Sequence, residues 1–387
     1  MKTAIVAGVV ANKYLNGGAV WTRLNWALGV KKLGFDVFFL EQIDRESCVD
    51  ENGSATEFEN CVNLKYFRKI MREFGLEDSS ALVYENGQKV DGMSSKELVE
   101  LLSSADLVFN ITGNLKLPSL AGCGGCRIYI DLDPGFTQYW YQAGLLGEQF
   151  KNHDIYFTIG EAIGTPNCSI PTGDIHWQTT RQPVVLDQWP VSDRGAPERF
   201  TTVAGWRDTY GPLEYEGQIL GLKVHEFRKF IKLPELVSQV CEIALDIHPD
   251  DRKDLELLHQ YGWEIKDPRN LVPGPDSFRK YVQGSGAEFS VAKEIYIKTN
   301  SGWFSDRTVR YLASGKPALV QDTGFSRVYP VGEGLLTFRN LEEAIAGANS
   351  ISREYVQHCQ AARLLAEEWF DSDKVLGVLV EQVGVLP

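Results

Sequence analysis

The sequence predicts an α/β protein made of two doubly wound parallel-sheet domains that face a cleft. Three observations carry this expectation. The chain has 387 residues, more than one hydrophobic core of ordinary size organises. Its first half alternates short β-rich runs with helical patterns, as βαβ units do. The alternation restarts at Phe200-Thr201-Thr202-Val203-Ala204-Gly205, after a stretch rich in Pro, Thr, Gln and Trp.

Taken in order, Thr3 to Val10 reads as a buried strand, and Val20 to Leu33 as a helix closed by Gly34. Asp36 to Leu40 is the second strand. Phe58 to Phe74 and Ser95 to Ser103 carry helical spacing. Leu107 to Ile111, Arg127 to Leu132 and Ile155 to Ile159 are strand-sized runs. Pro166 to Pro197 lacks a helical period and holds Pro183 and Pro190, so an extended crossing segment is expected there. In the second half, Leu220 to Ile231 and Asp251 to Tyr261 read as helices. Cys241 to Ile247, Trp263 to Ile265, Glu294 to Ile297 and Ala318 to Gln321 read as strands, and a helical tail runs from Leu341 to Val383. The expected organisation is a first domain over 1–185, a connection over 186–199, a second domain over 200–365, and a last helix, 366–387, packed back on the first domain.

Hydrophobic residues at 43% and charged residues at 24% are ordinary for a globular chain. A net charge of −13 argues against a surface for nucleic-acid phosphates and leaves room only for a local basic pocket. The N-terminus moves straight into a strand without a signal-peptide pattern, and the apolar runs are strand-sized, so a cytoplasmic protein without a transmembrane helix is expected. Cys123-Gly124-Gly125-Cys126 has no second ligand pair for zinc and leads into a strand, which points to reduced structural thiols.

The chemistry concentrates in Ser301-Gly302-Trp303-Phe304-Ser305-Asp306-Arg307-Thr308-Val309-Arg310, which continues to Ala313-Ser314-Gly315-Lys316-Pro317 and a buried strand. Ser305 is suited to N-cap a helix and Gly315 to end it in the left-handed region. The helix start carries free N–H groups and partial positive charge, and Arg307 and Arg310 add fixed cations suited to phosphate.

A helix ending in Ala-x-Gly-x-Pro before a buried strand resembles the donor-site segment of GT-B glycosyltransferases, which are built of two Rossmann-like domains. The resemblance implies transfer of a sugar from a nucleotide-diphosphate donor, UDP among the possibilities, to an acceptor hydroxyl. It implies donor contacts from Ser301, Gly302, Ser305, Asp306, Arg307 and Arg310, with Arg207 and Lys223 near the diphosphate. His248 ends a second-domain strand and is placed to meet phosphate or sugar. The loop before the first helix, with Gly17 and Gly18, would lie under the sugar and acceptor. The usual Glu of the donor helix is replaced here by Arg310, which leaves the stereochemical outcome open and keeps a non-catalytic nucleotide-sugar-binding protein as an alternative.

Asp131-Leu132-Asp133 is a literal DxD, the manganese signature of the other large glycosyltransferase fold. With two α/β halves a metal-free reading is preferred, with no cofactor and with Asp133 as general base. Glu161 and His153, which flank a strand, are the other acid–base candidates. Glu41 follows the second strand, where a nicotinamide enzyme keeps its ribose carboxylate, so an NAD-dependent oxidoreductase is a further alternative.

Overall fold

The computed structural model describes residues 2–193, 197–207 and 211–387. The first sheet holds β1 (Thr3–Ala7), β2 (Asp36–Ile43), β3 (Ser80–Tyr84), β4 (Lys89–Asp91), β5 (Leu107–Ile111), β6 (Cys126–Asp131), β7 (Ile155–Thr158) and β8 (Trp177–Thr179). Their order is β4-β3-β2-β1-β5-β6-β7-β8, parallel except for β4. After β9 (Arg199–Gly205) and a small antiparallel hairpin, β10 (Leu213–Tyr215) and β11 (Gln218–Leu220), the second sheet continues with β12 (Val240–Asp246), β13 (Glu264–Lys266), β14 (Ala287–Ser290), β15 (Ala318–Gln321) and β16 (Leu335–Phe338). Its order is β13-β12-β9-β14-β15-β16, all parallel.

Strands covered on both faces read as continuous apolar runs, and Ile5, Val6, Phe39 and Leu40 are fully buried. In both sheets the first strand lies inside, with successive strands added first on one side and then on the other. The loops at the carboxyl ends of β1 and β9 therefore flank the crevice where open α/β sheets take ligands.

Glu294–Lys298 is a short helix and not the expected strand. The segment is only five residues long, too short for period 2 and period 3.6 to be told apart. The strand in that region is β14, whose buried Glu288 interrupts the apolar run. The expected helix from Leu220 starts only at Lys223, because Leu220 ends β11. The expected crossing segment contributes β8 to the first sheet. Of the expected connection 186–199, residues 194–196 lie outside the described residues, while Trp189 is fully buried and packs on Trp21 with ring centroids 4.9 Å apart.

Two segments cross between the sheets side by side: the Val184 amide donates to the Phe370 carbonyl, and the Ser372 amide to that of Val184. The last helix, Ser372–Val383, lies on the first, Gly17–Lys32; a Cβ on Gly29 would stand 2.6 Å from Leu376 Cδ1. Among the described residues no helix is long and apolar enough to cross a membrane.

Candidate functional site in the interdomain cleft

A cleft of about 560 Å³ opens between the sheets. Its walls are the loop after β1, the end of β9, Asp246 at the end of β12, the Pro268–Val272 segment and the start of the helix Asp306–Ala313. Six cations line it, Lys13, Arg23, Arg207, Arg269, Arg307 and Arg310, against two carboxylates, Asp246 and Asp306. A strongly acidic chain thus gathers positive charge in one concave place.

Glu41 organises the loop after β1. Its Oε2 accepts the amides of Val10 and Ala11, both at 2.7 Å, and Oε1 accepts that of Asn12 at 2.8 Å. Burial pushes its pKa up to about 7 against those three bonds and the pull of Arg23. Both oxygens are occupied, so Glu41 cannot also hold a ribose diol, and the ribose-carboxylate expectation is corrected. The same loop holds Leu15 at φ +59, a strained position for a branched side chain.

Gly17 and Gly18 are needed for close approach, but what approaches is the second domain. A Cβ on Gly17 would run into the Gly274 carbonyl, and one on Gly18 would stand 2.9 Å from the Phe278 ring. The Gly17 amide donates to the Val272 carbonyl, and Trp21 Nε1 to that of Pro275. Of the two glycines, Gly18 also faces the cleft.

The arginines expected to meet phosphate are largely paired. Arg307 donates Nε to Glu288 Oε1, Nη1 to the Val203 carbonyl and Nη2 to Ser290 Oγ. Arg310 is fully buried; it donates to the Gly18 carbonyl at 3.1 Å, to Thr22 Oγ1 at 3.0 Å and to Asp306. Burial, with Arg23 nearby, lowers its pKa to about 9. It is therefore a tie between the domains. Asp306 also accepts from the Thr22 hydroxyl at 2.5 Å. Arg207 is bidentate on Asp251 and half exposed at the cleft.

Arg23, absent from the sequence expectations, is different. It enters the cleft from the first helix, and its buried Nε has no partner among the described residues. Burial lowers its pKa to about 10, with Asp133 and Glu41 opposing. Arg269 likewise lines the cleft without an ion pair among the described residues, and Lys13 stands across from it on the β1 loop.

The remaining expected residues stand elsewhere. Ser301 and Gly302 are buried where the two domains meet, the Ala162 amide donating to the Ser301 carbonyl. Ser305 caps the helix, accepting from the Arg307 amide at 3.3 Å, and is itself buried. Lys223 donates to the Val291 carbonyl, away from the cleft wall. His248 is exposed and accepts from the Asp250 amide. His153 is buried, with Nδ1 on the Phe150 carbonyl and Nε2 on the Asn110 amide, so both nitrogens are used; burial lowers its pKa. Glu161 pairs with Arg181 in a separate hollow under the last helix, and burial raises its pKa to about 7. None of these seven residues lines the cleft, because backbone packing, local caps, side-chain hydrogen bonds or, for Glu161, an ion pair hold them elsewhere.

Asp131 accepts from Thr137, Gln138, Thr158 and the Asp133 amide, a fully buried structural carboxylate. Asp133 differs. Its Oδ1 accepts the Tyr296 hydroxyl at 2.9 Å and Lys293 Nζ at 3.2 Å, both from the second domain. Desolvation opposes its charge, but Lys293, Tyr296 and Arg23 outweigh that and hold its pKa below the ordinary carboxylate value. Among the described residues no group of three or more His, Cys, Asp or Glu is arranged to hold a metal.

The chain has the GT-B fold. An α-glucosyltransferase in complex with UDP superposes with a TM-score of 0.61 at 10% identity over 100% of both chains. The Anabaena protein HepE, in complex with UDP-glucose, gives 0.60 at 11% identity over 99% of this chain and 100% of that one. An α-glucosyltransferase in complex with UDP and a 13-mer DNA gives 0.59 at 11% identity over 100% and 99%. No protein-family model and no curated protein sequence matches the chain.

Proposed function

We propose that the protein is a glycosyltransferase that moves a sugar from a nucleotide-diphosphate donor to an acceptor hydroxyl, with UDP-glucose the first donor to test. The observation that carries this is the cleft charge: six cations and two carboxylates in a chain of net charge −13. The cleft lies at the carboxyl ends of both sheets, and its volume, about 560 Å³, is that of a small-molecule site. The UDP and UDP-glucose carried by structures of the same fold support the choice of nucleotide.

In this reading the diphosphate lies between Arg23 and Lys13 on one side and Arg207 and Arg269 on the other. As the bond from the sugar to the leaving oxygen breaks, these fixed cations meet the charge that grows on it. The acceptor oxygen bonds to the sugar carbon and its proton passes to Asp133, which is ionised and near Arg23. The cations substitute for a metal, so no cofactor is required. The net charge favours an acceptor other than nucleic acid.

The placement of Arg310 where the fold's usual Glu would stand supports a second reading, a binding protein without turnover. Titration calorimetry with UDP tests the site, and release of UDP from UDP-glucose separates the two readings. Absence of any UDP binding would sink both.

A further inference from the structure

The hollow under the last helix, of about 280 Å³, shares no lining residue with the cleft. Glu161 enters it from the end of β7 and Arg181 from the segment after β8. The last helix supplies Lys374 and an aliphatic wall of Val375, Val378 and Leu379. Glu368 and Trp369 come from Ala366–Phe370, a turn of π-helix, a device frequent at functional sites. Both crossing segments reach the hollow. Arg181 precedes Val184, Trp369 precedes Phe370, and the Val184 amide donates to the Phe370 carbonyl.

Arg181 is held flat. Its guanidinium lies 4.8 Å from the centroid of the Trp369 ring and 5.7 Å from that of Tyr329. Its Nε donates to Glu161 Oε1 at 3.3 Å, while Nη1 and Nη2 make no hydrogen bond among the described residues. A planar guanidinium with donors left over is a fork preorganised for a carboxylate. The Lys374 ammonium is exposed and makes no ion pair or hydrogen bond among the described residues. The buried indole N–H of Trp369 is a further donor without a partner there. Two acids share the lining with Arg181 and Lys374: Glu368, which is exposed, and Glu161. Burial pushes the Glu161 pKa up to about 7 against the pull of Arg181, so at and below neutral pH the charge of the lining tips positive.

We propose that this hollow binds a small monocarboxylate with a short aliphatic body. Its carboxylate lies on the Arg181 fork, with Lys374 adding charge, and its body lies on Val375, Val378 and Leu379. The volume is that of a metabolite site and not of a polymer groove. The aliphatic wall gains by covering apolar surface, and an amine would bring its charge against Arg181. The site does not rest on the glycosyltransferase reading. Its occupant touches both crossing segments and so braces the connection between the domains.

The test uses the full-length protein in titration calorimetry with three probes of one shape: 4-methylpentanoate, 4-methylpentanamide and 4-methylpentylamine. At pH 6 the carboxylate should bind about tenfold more tightly than the amide, the scale of a charge-assisted contact, and the amine should not bind. Arg181→Lys, which keeps the charge and loses the fork, should weaken the carboxylate about tenfold. Lys374→Gln should weaken it about threefold. Val378→Asp, on an exposed position of the wall, should weaken it further than Lys374→Gln does. Raising the pH from 6 to 8 should cost the unmodified protein about tenfold in affinity as Glu161 ionises, and Glu161→Gln should abolish that dependence. Melting temperatures identify any variant that has lost its fold; if Arg181→Lys is one, Lys374→Gln and Val378→Asp decide. Equal binding of acid and amide, tighter binding of the amine, or unchanged binding in the folded variants overturns the carboxylate assignment. Absence of binding of all three probes at millimolar concentration overturns the site.

Discussion

Arg307 gives its guanidinium to Glu288, Nε to Oε1 at 2.5 Å, and Glu288 is fully buried. The first residue that the sequence offers as a phosphate ligand is thus the counter-ion of a buried carboxylate. Arg307→Ala should lower unfolding stability by about 3–5 kcal/mol, because it strands that charge. Urea titration of the variant measures this. A stable variant that has merely lost UDP would return Arg307 to the ligand.

Arg23→Ala should act the other way. Its Nε has no partner among the described residues, and its Nη1 makes only a 3.4 Å bond to the Ala19 carbonyl. UDP affinity should fall by roughly 1.5–3 kcal/mol, the scale of a charge-assisted contact, and uridine affinity much less. Equal losses for UDP and uridine in calorimetry would remove Arg23 from the phosphate.

EDTA should leave UDP binding and UDP-glucose turnover unchanged. Asp131 is consumed by four hydrogen bonds and cannot open toward a cation without unmaking its corner of the first domain. Loss of activity in chelator with recovery in manganese would contradict the metal-free mechanism.

The sequence announces the helix Asp306–Ala313 well. Ser305 caps it, and Gly315 ends it at φ +70, because caps are local chemistry. The alternation also gives away both sheets. Partners distant in the chain stay hidden. Nothing near Arg307 names Glu288, which sits in a strand whose apolar run it breaks. Nothing near Gly17 names Gly274. Arg23 looks like a solvated position on a helix, and nothing near it in the chain places it in the interdomain cleft. Residues that serve ligands and residues that serve the interdomain contact have the same composition, Gly and Arg, and only their distant neighbours tell them apart.

Glu161 should impose a pH dependence. Its pKa in the fold, about 7, lies above the ordinary glutamate value of 4.5, so the folded state binds its proton more tightly than the unfolded chain does. The contribution of this group to stability is therefore full below about pH 4.5 and declines as pH rises to about 7, by about 1 kcal/mol per pH unit. Glu161→Gln should flatten that slope in urea titrations at pH 5, 6 and 7.5. A slope unchanged by the substitution would show that Arg181 keeps the carboxylate charged throughout.

Gly17→Ala should separate the domains, since its Cβ meets the rigid Gly274 carbonyl, whereas Gly18→Ala meets only the edge of the Phe278 ring. Small-angle scattering should show a larger radius of gyration for the first variant and little change for the second, with nucleotide affinity falling in the same order. Identical scattering from both variants would mean that the contact yields.

The bonds from Arg310 to Gly18 and Thr22 join the domains by protein groups alone. An opening of the cleft at this edge must therefore break these bonds, and a ligand that enters or leaves through it must wait for the latch to release. Such a molecule is timed by how often it opens: slowing the solvent with viscogen should slow turnover, and loosening the latch should speed product escape at the cost of a less sheltered reaction.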